Sequence, residues 1–155
     1  MTRDEIKQTI DDFLLLIEKG CGSPQQNEIK LELLLDKLAM AQHFATYKFD
    51  DTEYEESPQN ASEEMRKLVA AQFPKYGHYN TSEDVSQNLG RSSVITGDAI
   101  DDIADIAGDL FETKWRWEKN SIDDGLWHFT TMFETHWSLH LRELQLYLLN
   151  LERGT

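Results

Sequence analysis

The chain has 155 residues, with 15 Lys and Arg against 29 Asp and Glu, a formal net charge of -14 at pH 7. That length suits one domain able to bury a core without staples, and the charge repels phosphate backbones and anionic bilayers, which excludes a nucleic-acid binder and argues against a membrane partner. A lone cysteine, Cys21, excludes an intramolecular disulfide, and Met1-Thr-Arg-Asp-Glu has no apolar signal core, so a cytoplasmic protein is expected.

Thr2 and Glu5 have capping-box spacing, and Ile6, Ile10, Phe13, Leu14 and Ile17 form one apolar stripe behind them. This predicts a first helix over residues 3–19, closed by Lys19-Gly20. Gly22-Ser-Pro24 reads as a turn, and Cys21 within it has no activating neighbour in sequence and reads as inert. A second helix is predicted over 26–47, with Ile29, Leu33, Met40, Phe44 and Tyr47 on one side and Leu31, Leu34, Leu38, Ala41 and Ala45 on another. Two apolar sides imply burial between neighbours. His43, close to the first side, reads as a hydrogen-bonded core residue.

The acidic run 50–56 with Ser57-Pro58 reads as a solvated connection. Asn60 with Glu63 is expected to cap a third helix over 61–73, stopped by Pro74. Asn60-Ala-Ser and Asn80-Thr-Ser fit the glycosylation pattern by chance, given no secretory signal. Residues 75–97, rich in Gly, Ser, Asn and Asp, read as a long ordered loop or a lid with short helical turns. Only Ser93-Val-Ile-Thr96 has strand character, too short a run to found a sheet.

A fourth helix is predicted over 98–119, then a short turn, then a final helix from Ile122 to Leu151 of about eight turns. Leu126, Thr130, Phe133, Trp137, His140, Leu141, Leu144, Leu148 and Leu151 recur on it at helical spacing, which makes it the expected spine. Trp115, Trp117, Trp127 and Trp137 read as packing residues of this hairpin. The expectation is an all-α, bundle-like single domain of five helices whose last two form a long antiparallel hairpin.

Asp98, Asp101, Asp102, Asp105, Asp109 and Glu112 lie on one strip of the fourth helix. Like charges at i,i+4 cost ~0.2–0.5 kcal/mol per pair, and Asp is a poor helix former. Asp98 as N-cap, with Asp101 and Asp102 in the first turn, is favoured by the dipole and unpaired amides. Asp105 and Asp109 lie beyond that reach, so something positive is expected beside them. In an antiparallel hairpin, residues whose numbers sum to roughly 242 stand level, which sets Asp101 and Asp105 opposite His136 and His140. Glu143 lies one turn further on the same side. His128 falls on another face, expected to meet water or Asp124.

Three readings stay open for these residues. They form a structural His and Asp pair that fixes helix register; or Asp101, Asp105, His136 and His140 hold a divalent metal, Zn, Mn or Mg; or they are a metal-free acid-base pair. Asp101-Asp-Ile-Ala-Asp105 also spells the DDxxD pattern of helical isoprenyl and terpene synthases, but the chain lacks their length and second metal motif.

Gly97-Asp-Ala-Ile-Asp-Asp-Ile-Ala-Asp-Ile-Ala-Gly-Asp-Leu110, Leu126-Trp-His-Phe and Phe133-Glu-Thr-His-Trp-Ser-Leu-His140 with Leu144 resemble the bacterial family catalogued as domain of unknown function 5063. The resemblance is specific over Gly97 to Tyr147, and weaker in Tyr76-Gly-His-Tyr-Asn80. It implies a small, all-helical cytoplasmic protein and singles out Asp101, Asp102, Asp105, Asp109, His136, Trp137 and His140, without supplying a reaction. The chain has Ser138 where such proteins often have Gly after the His-Trp pair, and Ala107-Gly108 where an Arg or Tyr often precedes the last Asp. Two functions follow as expectations: first, an acidic binding protein that offers the aspartate strip to a basic protein partner; second, a metal protein of hydrolytic type.

Overall fold

The computed structural model describes residues 1–59 and 62–154; the expected Asn60 cap and glycosylation pattern lie outside them. Helix α1 (Arg3–Lys19) starts at the Thr2 capping box, complete in both directions, and ends at Gly20, whose positive φ no side chain favours. Its face of Ile6, Ile10, Phe13, Leu16 and Ile17 is wholly buried.

Helix α2 (Pro24–Ala41) opens on a second capping box, Ser23 with Gln26, and Pro24 stands in its first turn, where a missing N–H costs nothing. The helix therefore begins at the expected turn and stops six residues before Tyr47. Only the Leu31, Leu34, Leu35, Leu38 and Ala41 side enters the core, while Ile29, Leu33, Met40 and Phe44 are exposed. His43 is exposed as well, beside Gln42, and is not a core residue. From Gln42 the chain leaves the helix and runs across the start of the last hairpin. Lys48 N–H donates to Asp123 there, and Ser121 Oγ donates to Asp50. Those bonds replace the helical ones that continuing to Tyr47 would have made.

After α3 (Ser62–Gln72), residues 75–97 contain no helix: β1 (His78–Ser82) and β2 (Val94–Asp98) form an antiparallel two-stranded hairpin, His78 opposite Asp98 and Ser82 opposite Val94. The protein is thus mostly helical with a small sheet, not strictly all-α. The hairpin is held by Tyr79, whose ring stacks on Tyr147 at 5.0 Å and covers Gly97. A Cβ at Gly97 would come within 2.4 Å of that ring.

Helix α4 (Ala99–Lys119) packs against α1, α3 and the last helix, and this makes it the hub in place of the expected spine. The last helix runs as α5 (Ile122–Met132), a π turn (Phe133–Trp137) and α6 (Ser138–Arg153), folded back on α4. Counted as one, it gives the five expected helices. Gly125 lets them pack closely, since a Cβ there would lie 2.9 Å from Trp117 Cα. One cluster of buried side chains draws on every helix, with Trp137, Phe13, Phe73 and Phe129 the largest members fully inside. Among the described residues no helix is long and apolar enough to cross a membrane.

A candidate metal centre between the last two helices

The aspartate strip of α4 divides by side. Asp98 is the N-cap, its Oδ1 accepting from Ile100 and Asp101 amides, and its Oδ2 pairs with Arg66 of α3 at 3.2 Å. Asp101, exposed, pairs with the same guanidinium. One helical position on, about 100° round, Asp102 is only 5 % exposed and faces the last helix. The sequence set Asp101 opposite the histidines; the structure puts Asp102 there and turns Asp101 toward α3.

Asp102 Oδ1 lies 2.7 Å from His140 Nδ1, and its other oxygen accepts from the Tyr79 hydroxyl. Burial, then the adjacent Asp102, push the Tyr79 phenol far up, so it stays protonated and donates. About two turns further along α4, Asp109 Oδ2 lies 2.6 Å from His136 Nδ1. Each imidazole is thus fixed through Nδ1 by a carboxylate, and its Nε2 is the nitrogen left for another partner. His140 Nε2 lies 3.5 Å from Asp105 Oδ2. Asp105, His136 and His140 each offer one ligand atom, all within 4.8 Å of one another.

The local backbone contributes to this grouping. The π turn spans Phe133–Trp137 and carries His136 within it. A π turn adds a residue to the helical ladder and is frequent at functional sites, and the residues after it present a different face from that of an unbroken helix. Trp137 anchors the turn: it is fully buried, edge-on to Phe129 at 5.4 Å and to Phe133 at 4.7 Å, and belongs to the core. The two imidazoles meet edge to face at 5.2 Å.

The electrostatics are those of a site short of positive charge. Burial raises the carboxyls of Asp105 and Asp109 above their ordinary values, opposed by the histidines beside them. The hydrogen bond that His140 donates to Asp102 raises its pKa, against the opposing effect of its burial. Among the described residues Asp102, Asp105 and Asp109 have ion pairs only with histidine. Glu143 does not join them; it accepts from Thr81 of β1 at 2.8 Å.

His128 forms a separate cluster. It is buried, its Nδ1 is 2.9 Å from Thr113 Oγ1 and its Nε2 is 3.4 Å from Glu112, rather than meeting water or bonding Asp124. Sequence reasoning missed Tyr79 and Arg66. The weak Tyr76-Gly-His-Tyr-Asn80 signal held the first, and the second carried none beyond a lone Arg on the third helix.

No family model matches this chain, and no curated protein matches it. Among solved structures its fold is similar to the crystal structure of protein BF1032 from Bacteroides fragilis, a structural genomics target. The TM-score is 0.74 at 15% sequence identity, over 96% of this chain and 90% of that one. At that identity the likeness is one of fold alone.

Proposed function

We propose that Asp105, His136 and His140 bind one divalent transition metal of the zinc class, and that the protein acts through it. The observation that carries this reading is the pair of carboxylate-fixed imidazoles. Metal-ligating histidines characteristically give their other ring nitrogen to a carboxylate, which sets the tautomer and raises ligand basicity. Here both do, to Asp102 and Asp109, and the first carboxylate is itself held by Tyr79. Two nitrogens and one oxygen suit zinc and its neighbours better than magnesium. In a tetrahedral zinc site, bonds of ~2.0–2.1 Å place ligand atoms roughly 3.3 Å apart, against 3.5 Å between His140 Nε2 and Asp105 Oδ2.

With three protein ligands and His136 at the surface, a fourth position would face solvent, as in catalytic rather than structural zinc sites. The chemistry such a metal supplies is hydrolytic. A cobalt titration tests the binding: wild-type protein develops visible d–d absorption that saturates near one equivalent, and His140→Ala does not. A flat wild-type titration rules the site out.

The alternative, docking of a basic protein on the aspartate strip, has the net charge of -14 behind it. Most of the strip already has partners inside the chain, which leaves Asp105 and Asp101 its most exposed carboxylates. It predicts no metal, and loss of such a partner on Asp105→Asn with Asp109→Asn. Both readings carry a cytoplasmic setting and membership in the bacterial family of unknown function 5063 as part of the proposal.

A further inference from the structure

The strand hairpin and α6 enclose a groove of about 710 Å³, within the range of small-molecule sites and too small for a docked domain. We infer that this groove takes the apolar tail of a small ligand whose oxygen-bearing head reaches the candidate metal, so the substrate class is an acyl or aryl compound with a carbonyl or carboxylate at one end. This inference rests on the metal reading for the head and on the groove alone for the tail.

The helix provides the continuity. Glu143, at the near end of the groove, follows His140 by three residues, and Leu146 and Tyr147 continue the same side a turn further on. At 1.5 Å per residue the groove therefore begins ~5 Å along the axis from a metal ligand and extends at least ~10 Å. Tyr79 belongs to both places, with its ring in the groove wall and its hydroxyl on Asp102. The groove wall is mixed, with Asn80, Ser82 and Asn150 set among its apolar side chains. The near wall carries Glu143 and Thr81, bonded to each other, while Val85, Val94 and Leu146 leave 79%, 71% and 60% of their surface open to water. These three exposed aliphatic side chains border one concavity rather than being scattered singly.

Hydroxamates supply the probes, because they chelate zinc through two oxygens and can be made with any tail. Titrated calorimetrically into zinc-loaded protein, octanoyl hydroxamate is expected to bind about 50-fold more tightly than acetohydroxamate, a gain of ~2-fold per added methylene for a partly open groove. Leu146→Asp and Val94→Asp, both at exposed positions, should collapse that gap to a few-fold and leave acetohydroxamate unchanged. Equal binding of the two probes by wild type, or a gap that survives both variants, overturns the inference. In metal-free protein the octanoyl probe should still shift the methyl resonances of Val85, Val94 and Leu146. Shifts without any zinc binding would support the groove and remove the metal reading; unshifted methyls would overturn the groove whatever the metal does.

Discussion

His128 and His140 stand on the same long helix against the same partner, α4, yet their surroundings are opposite. His128 is buried with a hydroxyl, Thr113, on one nitrogen and Glu112 near the other. Glu112 is itself bonded to Arg116, which also pairs with Asp124, so each carboxylate of that cluster has the guanidinium as a partner. Burial lowers the His128 pKa to about 4, and the ring is neutral at physiological pH. His140 is partly exposed between Asp102 and Asp105, with Asp109 and His136 next along, and no Lys or Arg is paired with those three aspartates among the described residues. The first cluster is complete as it stands. The second has carboxylates in excess, the condition under which a bound cation relieves repulsion and desolvation together.

The largest effect that would break this contrast lies in metal affinity. His140→Ala or His136→Ala should weaken zinc binding by more than ~100-fold, since even losing a residue that only orients a ligand costs 10–100-fold. His128→Ala should leave the affinity within about twofold, measured by competition with a chromogenic chelator. Equal losses from His128 and His140 would erase the distinction.

Next in size is a pH effect confined to the other cluster. Unfolded His128 takes up its proton near the ordinary imidazole value of 6.5, folded His128 only at about 4. Between those values the unfolded state binds more protons, so stability falls as pH drops through the window and is constant with respect to this group above it. Glu112 and Asp124 oppose the shift, and Arg116 reinforces it. The loss by pH 4 should be on the order of 3 kcal/mol. Urea melts of wild type and His128→Gln should diverge across that window, with the variant's slope shallower by one proton's worth.

Smaller again is the support behind the ligands. Tyr79→Phe removes the donor that holds Asp102 and should cost about tenfold in zinc affinity, read in the same competition experiment, with little change in melting temperature. Smallest is Asp101→Asn. That carboxylate is exposed and paired with Arg66, so the change should cost under ~1 kcal/mol in a urea melt and leave zinc affinity within about twofold.

Much of this was legible in residue spacing. The Thr2 capping box, the Asp98 N-cap and the stripe of Ile6 to Ile17 each name a local hydrogen bond or a buried face, and local chemistry suffices to place them. Hairpin register could be read because a short turn leaves little freedom: His140 with Asp102 falls on the expected sum, and His136 with Asp109 within one turn of it. What spacing could not fix is rotation about the helix axis, which moved the contact from Asp101 to Asp102, and the π turn at Phe133–Trp137, which has no sequence signature. The β hairpin was hidden because its strands do not alternate. His78-Tyr-Asn-Thr-Ser is polar on both faces, and one aromatic contact, Tyr79 on Tyr147, replaces the usual buried face. On α2 the error ran the other way, since Ile29, Leu33, Met40 and Phe44 share a helical face that the fold leaves in water.

The most direct test of the central claim is elemental analysis of protein purified without chelator, combined with thermal melts before and after EDTA and after zinc is restored. The account predicts close to one zinc-class ion per chain in the wild type and none in His140→Ala, with a melting temperature that falls on chelation and recovers on reloading. Metal at background level in the wild type, with a melting temperature that neither EDTA nor added zinc shifts, would contradict it and leave Asp102, Asp105, Asp109, His136 and His140 as a structural network.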